Sequence, residues 1–93
     1  MQGEKFRNPV KIEGKVVIVT GANTGIGKET AKELARRKAT VYLACRDLHK
    51  CDEARKSIIL ETKNKHVYCR ELDLASLQSI RNFVKHFKAE QVD

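Results

Sequence analysis

KVVIVTGANTGIG, Lys15 to Gly27, decides how this chain is read. Its first part, KVVIVT, is an unbroken, largely β-branched apolar run. Such a run is too short for a good helix and predicts a strand buried on both faces. The next part, TGANTGIG, Thr20 to Gly27, carries three glycines, Gly21, Gly25 and Gly27. From Ile26 to about Lys38 the pattern becomes helical. Ile26, Thr30, Ala31, Leu34 and Ala35 share one face, with Lys and Arg opposite. The glycines therefore stand where a strand turns into a helix.

That junction has consequences. A helix N-terminus has unpaired N–H groups and the positive end of the helix dipole. An anion there gains about 0.3–1 kcal/mol, and more when partly buried. Glycine removes the Cβ that would block its approach and permits positive φ. The turn thus has the makings of a pyrophosphate cradle. Its spacing, G-x-x-x-G-x-G, is not the familiar G-x-G-x-x-G, and Gly27-Lys28-Glu29 lacks the Ser or Thr of a Walker A loop. The plainer alternative is a tight turn with no ligand.

Outward from the junction, strands and helices alternate. Thr40 to Cys45, TVYLAC, predicts a second strand. Leu48 to about Lys63 predicts a second helix with Cys51, Ala54 and Ile58 on one stripe. His66 to Leu72, HVYCREL, alternates more and reads as a strand nearer an edge. Ser76 is a candidate N-cap for a third helix whose apolar face is Leu77, Ile80, Val84 and Phe87. This order argues for a parallel sheet with right-handed crossovers. The fold class is α/β, a Rossmann-type doubly wound parallel sheet cut to about three β-α units. Residues 1–14 read as a flexible basic leader, and residues 15–93 as the folded part.

Composition narrows the function. The 93 residues suit one small domain, and 41% apolar content can build a core despite 33% charged residues. Net charge is +7, but the cations are spread along the chain and KETAKELARRK mixes signs at helical spacing. Solvated helix faces explain this better than nucleic-acid binding. Cys45, Cys51 and Cys69 make an odd number with no C-x-x-C, so free thiols in a reducing, intracellular setting are expected. His49, His66 and His86 have no metal-ligand spacing. No apolar run reaches 18 residues, and the opening MQGEKFRNPVKIEG lacks the apolar centre of a signal peptide.

TGANTGIG resembles the T-G-x-x-x-G-I-G motif of the short-chain dehydrogenase/reductase family. The likeness continues through GKVVIVTGANTGIGKETAKELA, VYLACRD and LDLASLQSIRNF, about Gly14 to Asp93. Together these look like the retinol dehydrogenase branch in its microsomal, NADP-preferring form. The resemblance implies that residues 15–93 are the N-terminal part of an NADP-binding domain. It implies that Gly21, Asn23, Thr24, Gly25, Ile26 and Gly27 hold the coenzyme's phosphates. It also implies that Asp73 meets the adenine amino group while Leu74 offers a backbone contact. A plain turn-capping role for Asp73 fits ELDLAS equally.

The end of the second strand selects between coenzymes, because it meets the adenosine ribose. An acidic residue there suits NAD and repels the 2′-phosphate of NADP. Arg46 is the first charged residue after the strand, and Lys50 follows four residues on. A charge-assisted hydrogen bond of about 1.5–3 kcal/mol would set the preference for NADP over NAD. Asp47 is the competing signal; a place at the start of the second helix would use its charge on the dipole instead.

Catalysis in the family needs Tyr-x-x-x-Lys, in which the ammonium favours tyrosinate. Tyr42 and Tyr68 are followed four residues on by Arg46 and Leu72, and no N-N-A-G segment is present. The chain is expected to be the cofactor-binding part of a longer enzyme, with no catalytic residue of its own. The implied substrates are retinol, retinal or similar lipophilic alcohols and aldehydes. Membrane-bound relatives carry an apolar anchor, so the parent is either soluble or attached to the endoplasmic reticulum by a segment missing here. Without a fourth strand, the KVVIVT edge is expected to be exposed and to favour self-association. The alternative is a nucleotide-binding or regulatory module without turnover.

Overall fold

The computed structural model describes residues 12–23 and 25–91. Three strands and three helices alternate along them: β1 (Val16–Thr20), α1 (Gly25–Arg36), β2 (Thr40–Cys45), α2 (Leu48–Thr62), β3 (Val67–Glu71) and α3 (Leu77–Gln91). The strands form one parallel sheet in the order β1-β2-β3, with Val17 opposite Val41 and Leu43 opposite Cys69. This is the expected Rossmann-type arrangement, with HVYCREL at an edge. Residues 1–11 of the leader lie outside the described residues. Just before β1, the Gly14 N–H donates to the Lys38 carbonyl at 2.9 Å, fastening the chain to the end of α1.

Side chains alternate across a strand, and the two faces of β2 find different partners. Val41, Leu43 and Cys45 join Val67, Ala31, Ala35, Cys51 and Ile58 in the main core under α1 and α2. Ala31 and Ala35 are fully covered, and their small size lets α1 lie close to the sheet. On the opposite face, Tyr42 meets Tyr68 with ring centroids 5.3 Å apart and meets the edge of Phe87 at 5.0 Å. Phe83 stacks on Phe87 at 5.8 Å. Helices on both faces make the sheet doubly wound.

Three sequence expectations fail, each for a local reason. The strand read as buried on both faces leaves Val16 41% and Ile18 42% exposed. β1 is an edge of the described sheet, and the aromatic contacts of α3 fall on β2 instead. Ile26 is 79% exposed, because it stands in the first turn of α1, before the alanines that touch the core. Leu77 and Val84 are also largely exposed; Phe83, absent from the expected apolar face, joins Phe87 instead. The first two helices end slightly early because Lys38 and Lys63 adopt left-handed backbone, with φ of 68° and 63°.

The cysteines behave as core residues. Cys51 is buried with its Sγ 3.5 Å from the Leu43 carbonyl oxygen. Hydrogen bonding with Cys69, together with burial, pushes its thiol up. It is therefore protonated and unreactive near neutral pH.

Asn64 locks the layers together from the loop between α2 and β3. Its Nδ2 donates to the carbonyls of Ala35 at 3.0 Å and Ala39 at 2.8 Å, and its Oδ1 accepts from the His66 N–H at 2.8 Å. Asn64→Ala should lower unfolding stability by about 1–3 kcal/mol in urea titration, because it strips partners from these groups. Asn64→Asp, which cannot donate, should not restore it.

Lys32 bridges α1 to α2 through Glu61 at 2.9 Å. This bond holds the Glu61 carboxyl below its ordinary value. A depressed folded value stabilises above the unfolded carboxylate range and is lost as pH falls through the folded one. The melting temperature should therefore drop on acidification below that range, and Glu61→Gln should flatten part of the drop.

Candidate coenzyme-binding site

Parallel strands end together, so the three strand-to-helix junctions meet at one end of the sheet. In open α/β sheets, ligands lie outside these carboxyl ends. A cleft of about 330 Å³ opens there. Gly21 and Asn23 line it from the first junction, Cys45 and Arg46 from the second, and Asp73 and Leu74 from the third. Backbone hydrogen bonds brace the walls: Gly21 N–H to the Ala44 carbonyl at 3.0 Å, and Leu72 N–H to the Cys45 carbonyl at 2.8 Å.

The three glycines of the first turn do different work. Gly21 and Gly25 have φ of 62° and 51°, the region where a Cβ is costly. A Cβ added at either would meet no other atom within 4 Å, so the space beside both is open. Gly27 is the reverse. A Cβ there would overlap the Gly21 carbonyl oxygen and lie 3.2 Å from the Ala22 Cα. Gly27 therefore lets the first turn of α1 rest directly on the turn that leaves β1. A bare left-handed turn feeding a helix N-terminus fits a coenzyme's bridging phosphates.

At the second junction the acid and the base separate. Asp47 is the N-cap of α2, and its Oδ1 accepts from the N–H groups of His49 at 2.9 Å and Lys50 at 3.2 Å. Its charge is thereby used on the helix, the place the sequence favours for it over the ribose. Arg46 is exposed and lines the cleft. Lys50 does not join it. Lys50 lines an adjoining hollow of about 350 Å³ with Asn23, Lys28 and Glu53. Asn23 is the wall common to both spaces. The sequence reading used Lys28 only to reject a Walker A loop; its place in the first turn after Gly27 was the available signal.

At the third junction Asp73 caps its own turn. Its Oδ1 accepts from the Ala75 N–H at 3.0 Å, and its N–H donates to Ser79 Oγ at 2.8 Å. Ser76 caps α3 as expected, its Oγ accepting from the Ser79 N–H at 3.1 Å. Asp73 remains partly exposed and Leu74 is 65% exposed in the cleft wall. Ser79, which the sequence reading missed, fixes this wall from below. Gly25, Ile26 and Gly27 belong to the junction but line neither space. Thr24 lies outside the described residues.

Neither tyrosine stands at the cleft. Tyr42 is 6% exposed between Tyr68 and Phe87, and the Arg70 guanidinium lies 5.1 Å from its ring centre. Among the described residues, no group of three His, Cys, Asp or Glu side chains could hold a metal ion, and no helix is long and apolar enough to cross a membrane.

Comparison with known proteins agrees with this architecture. The short chain dehydrogenase family model matches residues 15–93. Retinol dehydrogenase 12 of Mus musculus is 58% identical over 82 residues, covering 88% of this chain and 26% of its own length. The chain thus spans about a quarter of the length of that curated relative. Among solved structures, the menthone neomenthol reductase of Mentha piperita superposes with a TM-score of 0.78 at 37% identity, over 84% of this chain and 28% of its own. A short chain dehydrogenase from Escherichia coli, complexed with NADPH, gives a TM-score of 0.74 at 28% identity, over 85% and 34%. With a parallel sheet whose strand ends open on a cleft beside a glycine-rich turn, and a family match over residues 15–93, the chain belongs to the short chain dehydrogenase family.

Proposed function

We propose that this chain is the coenzyme-binding part of an NADP(H)-dependent oxidoreductase. The whole protein would interconvert retinol and retinal, or similar lipophilic alcohols and aldehydes. The observation that carries the coenzyme choice is the split at the end of β2. Asp47 is bound to the α2 N-terminus, while Arg46 lines the cleft. An exposed guanidinium there suits a 2′-phosphate, and the adjacent carboxylate, Asp47, is engaged by backbone N–H groups. The NADPH bound to the Escherichia coli relative supports the same choice. The substrate class rests on identity to retinol dehydrogenases.

Each junction has a share in binding. The turn Gly21–Gly25, with Asn23 and Thr24, receives the bridging phosphates at the positive end of α1, and Ile26 and Gly27 set the angle at which α1 starts. Arg46 receives the 2′-phosphate, and Lys50, in the adjoining hollow beyond Asn23, contributes only its longer-range charge. Asp73 and Leu74 close over the adenine. The bound nicotinamide supplies the two-electron chemistry. This chain's own residues bind and orient; they include no Tyr-x-x-x-Lys, and the 93 residues alone are expected to bind coenzyme without turnover. The parent coding sequence beyond Asp93 should contain N-N-A-G followed by Tyr-x-x-x-Lys, and a parent with neither would overturn the enzymatic reading.

Arg46→Ala should weaken NADPH binding about 10- to 100-fold, the value of a charge-assisted hydrogen bond, while NADH binding changes little. Fluorescence titration with both coenzymes on the full-length protein checks this, and equal losses would refute the phosphate role. Gly27→Ala should act differently. It should lower the affinity for both coenzymes together and cost about 1–3 kcal/mol of stability, because the added methyl displaces α1 from the turn.

A further inference from the structure

The sheet has a second end, and its charge differs from that of the cleft. At the amino ends of the strands, where α1 and α2 finish, lies a broad hollow of about 630 Å³. Lys38, Lys63, Lys65 and His66 line it, with Glu13 as the carboxylate nearest the entry of the chain. Arg36 is there too, but it is engaged by Glu33 and Glu61. Lys38, Lys63 and Lys65 are exposed, and among the described residues no ion pair reaches them.

Two of these lysines occupy positions that favour another residue. Lys38 and Lys63 follow the ends of α1 and α2 with left-handed backbone, at φ of 68° and 63°. That place after a helix usually belongs to glycine, because a Cβ is crowded there. Lysine stands in it twice, and both side chains border the same hollow. A cation near a helix C-terminus complements the dipole, but for α1 Arg36 already does so from the last turn.

We propose that this basic end docks the protein on an anionic phospholipid surface, with the coenzyme cleft turned away from it. A polynucleotide is the poorer partner. Its recognition uses stacked aromatic rings or an element laid in a groove, and among the described residues no Phe, Tyr or Trp lines the hollow. Both helices also meet it by their C-terminal carbonyls, which disfavour a phosphate at contact distance. A plane of acidic headgroups is attracted instead by the summed charge, at distances up to the Debye length.

Co-sedimentation of the full chain with phosphatidylcholine vesicles, with and without phosphatidylserine, tests this. Binding should require phosphatidylserine and disappear at high salt. Each lysine near such a surface is worth about fivefold in partitioning. The double substitution Lys38→Gly, Lys63→Gly removes two charges and installs the residue the backbone favours. It should melt at the same or a higher temperature, yet partition about 25-fold less. Lys65→Gln, which alters no left-handed residue, should partition about fivefold less. Three results would overturn the proposal: vesicle binding unchanged in both variants, equal binding to vesicles lacking phosphatidylserine, or binding to a DNA duplex with vesicles left free. None of these readouts depends on coenzyme.

Discussion

The structure depends on one backbone contact. Gly27 in the first turn of α1 lies so close to Gly21, at the exit of β1, that no side chain fits between them. That contact sets where α1 begins and therefore where its positive end points. It also sets the path of α1 over the sheet, which Ala31 and Ala35 continue by presenting only methyl groups to the core. A larger residue at any of these places would lift the helix and open the wall of the cleft. The same economy of side chain thus serves packing at Gly27 and ligand access at Gly21.

Around this contact the loops assign charge by hydrogen bonding. Asp47 and Asp73 both follow strands, and each carboxylate accepts from nearby backbone N–H groups. A carboxylate so engaged shapes its junction, while the adjacent Arg46 is left facing the cleft. At the far end, Asn64 performs the matching task, joining the end of α1, the start of β2 and the loop into β3. The two ends of the sheet are therefore fixed by different means. Glycines and acidic caps shape the carboxyl end; an amide and left-handed lysines shape the amino end.

Most of the architecture was legible because burial imposes periodicity. The run VVIVT, the core positions of TVYLAC and the stripe Cys51, Ala54, Ile58 follow from strand and helix repeats. The caps at Asp47 and Ser76 follow from residue type and position. What escaped the reading has a common cause. Ile26, Leu77 and Val84 fit an apolar pattern yet lie exposed, and Val16 and Ile18 share the face of Tyr42, where the aromatic contacts of α3 fall on β2 and leave β1 bare. Periodicity says which side chains share a face; it does not say how far a neighbouring element reaches over that face.

The amino-acid sequence by itself determined the element order, the parallel sheet, the family and the turn at which a helix start meets a glycine-rich loop. These depend on local periodicity and on glycine's backbone freedom, which are properties of short segments. Only the tertiary structure decided that Lys50 shares a hollow with Lys28 rather than with Arg46, that Phe83 joins the aromatic cluster, and that Asn64 bridges three elements. Those outcomes depend on distances between segments far apart in the chain, and such distances arise only when the layers pack.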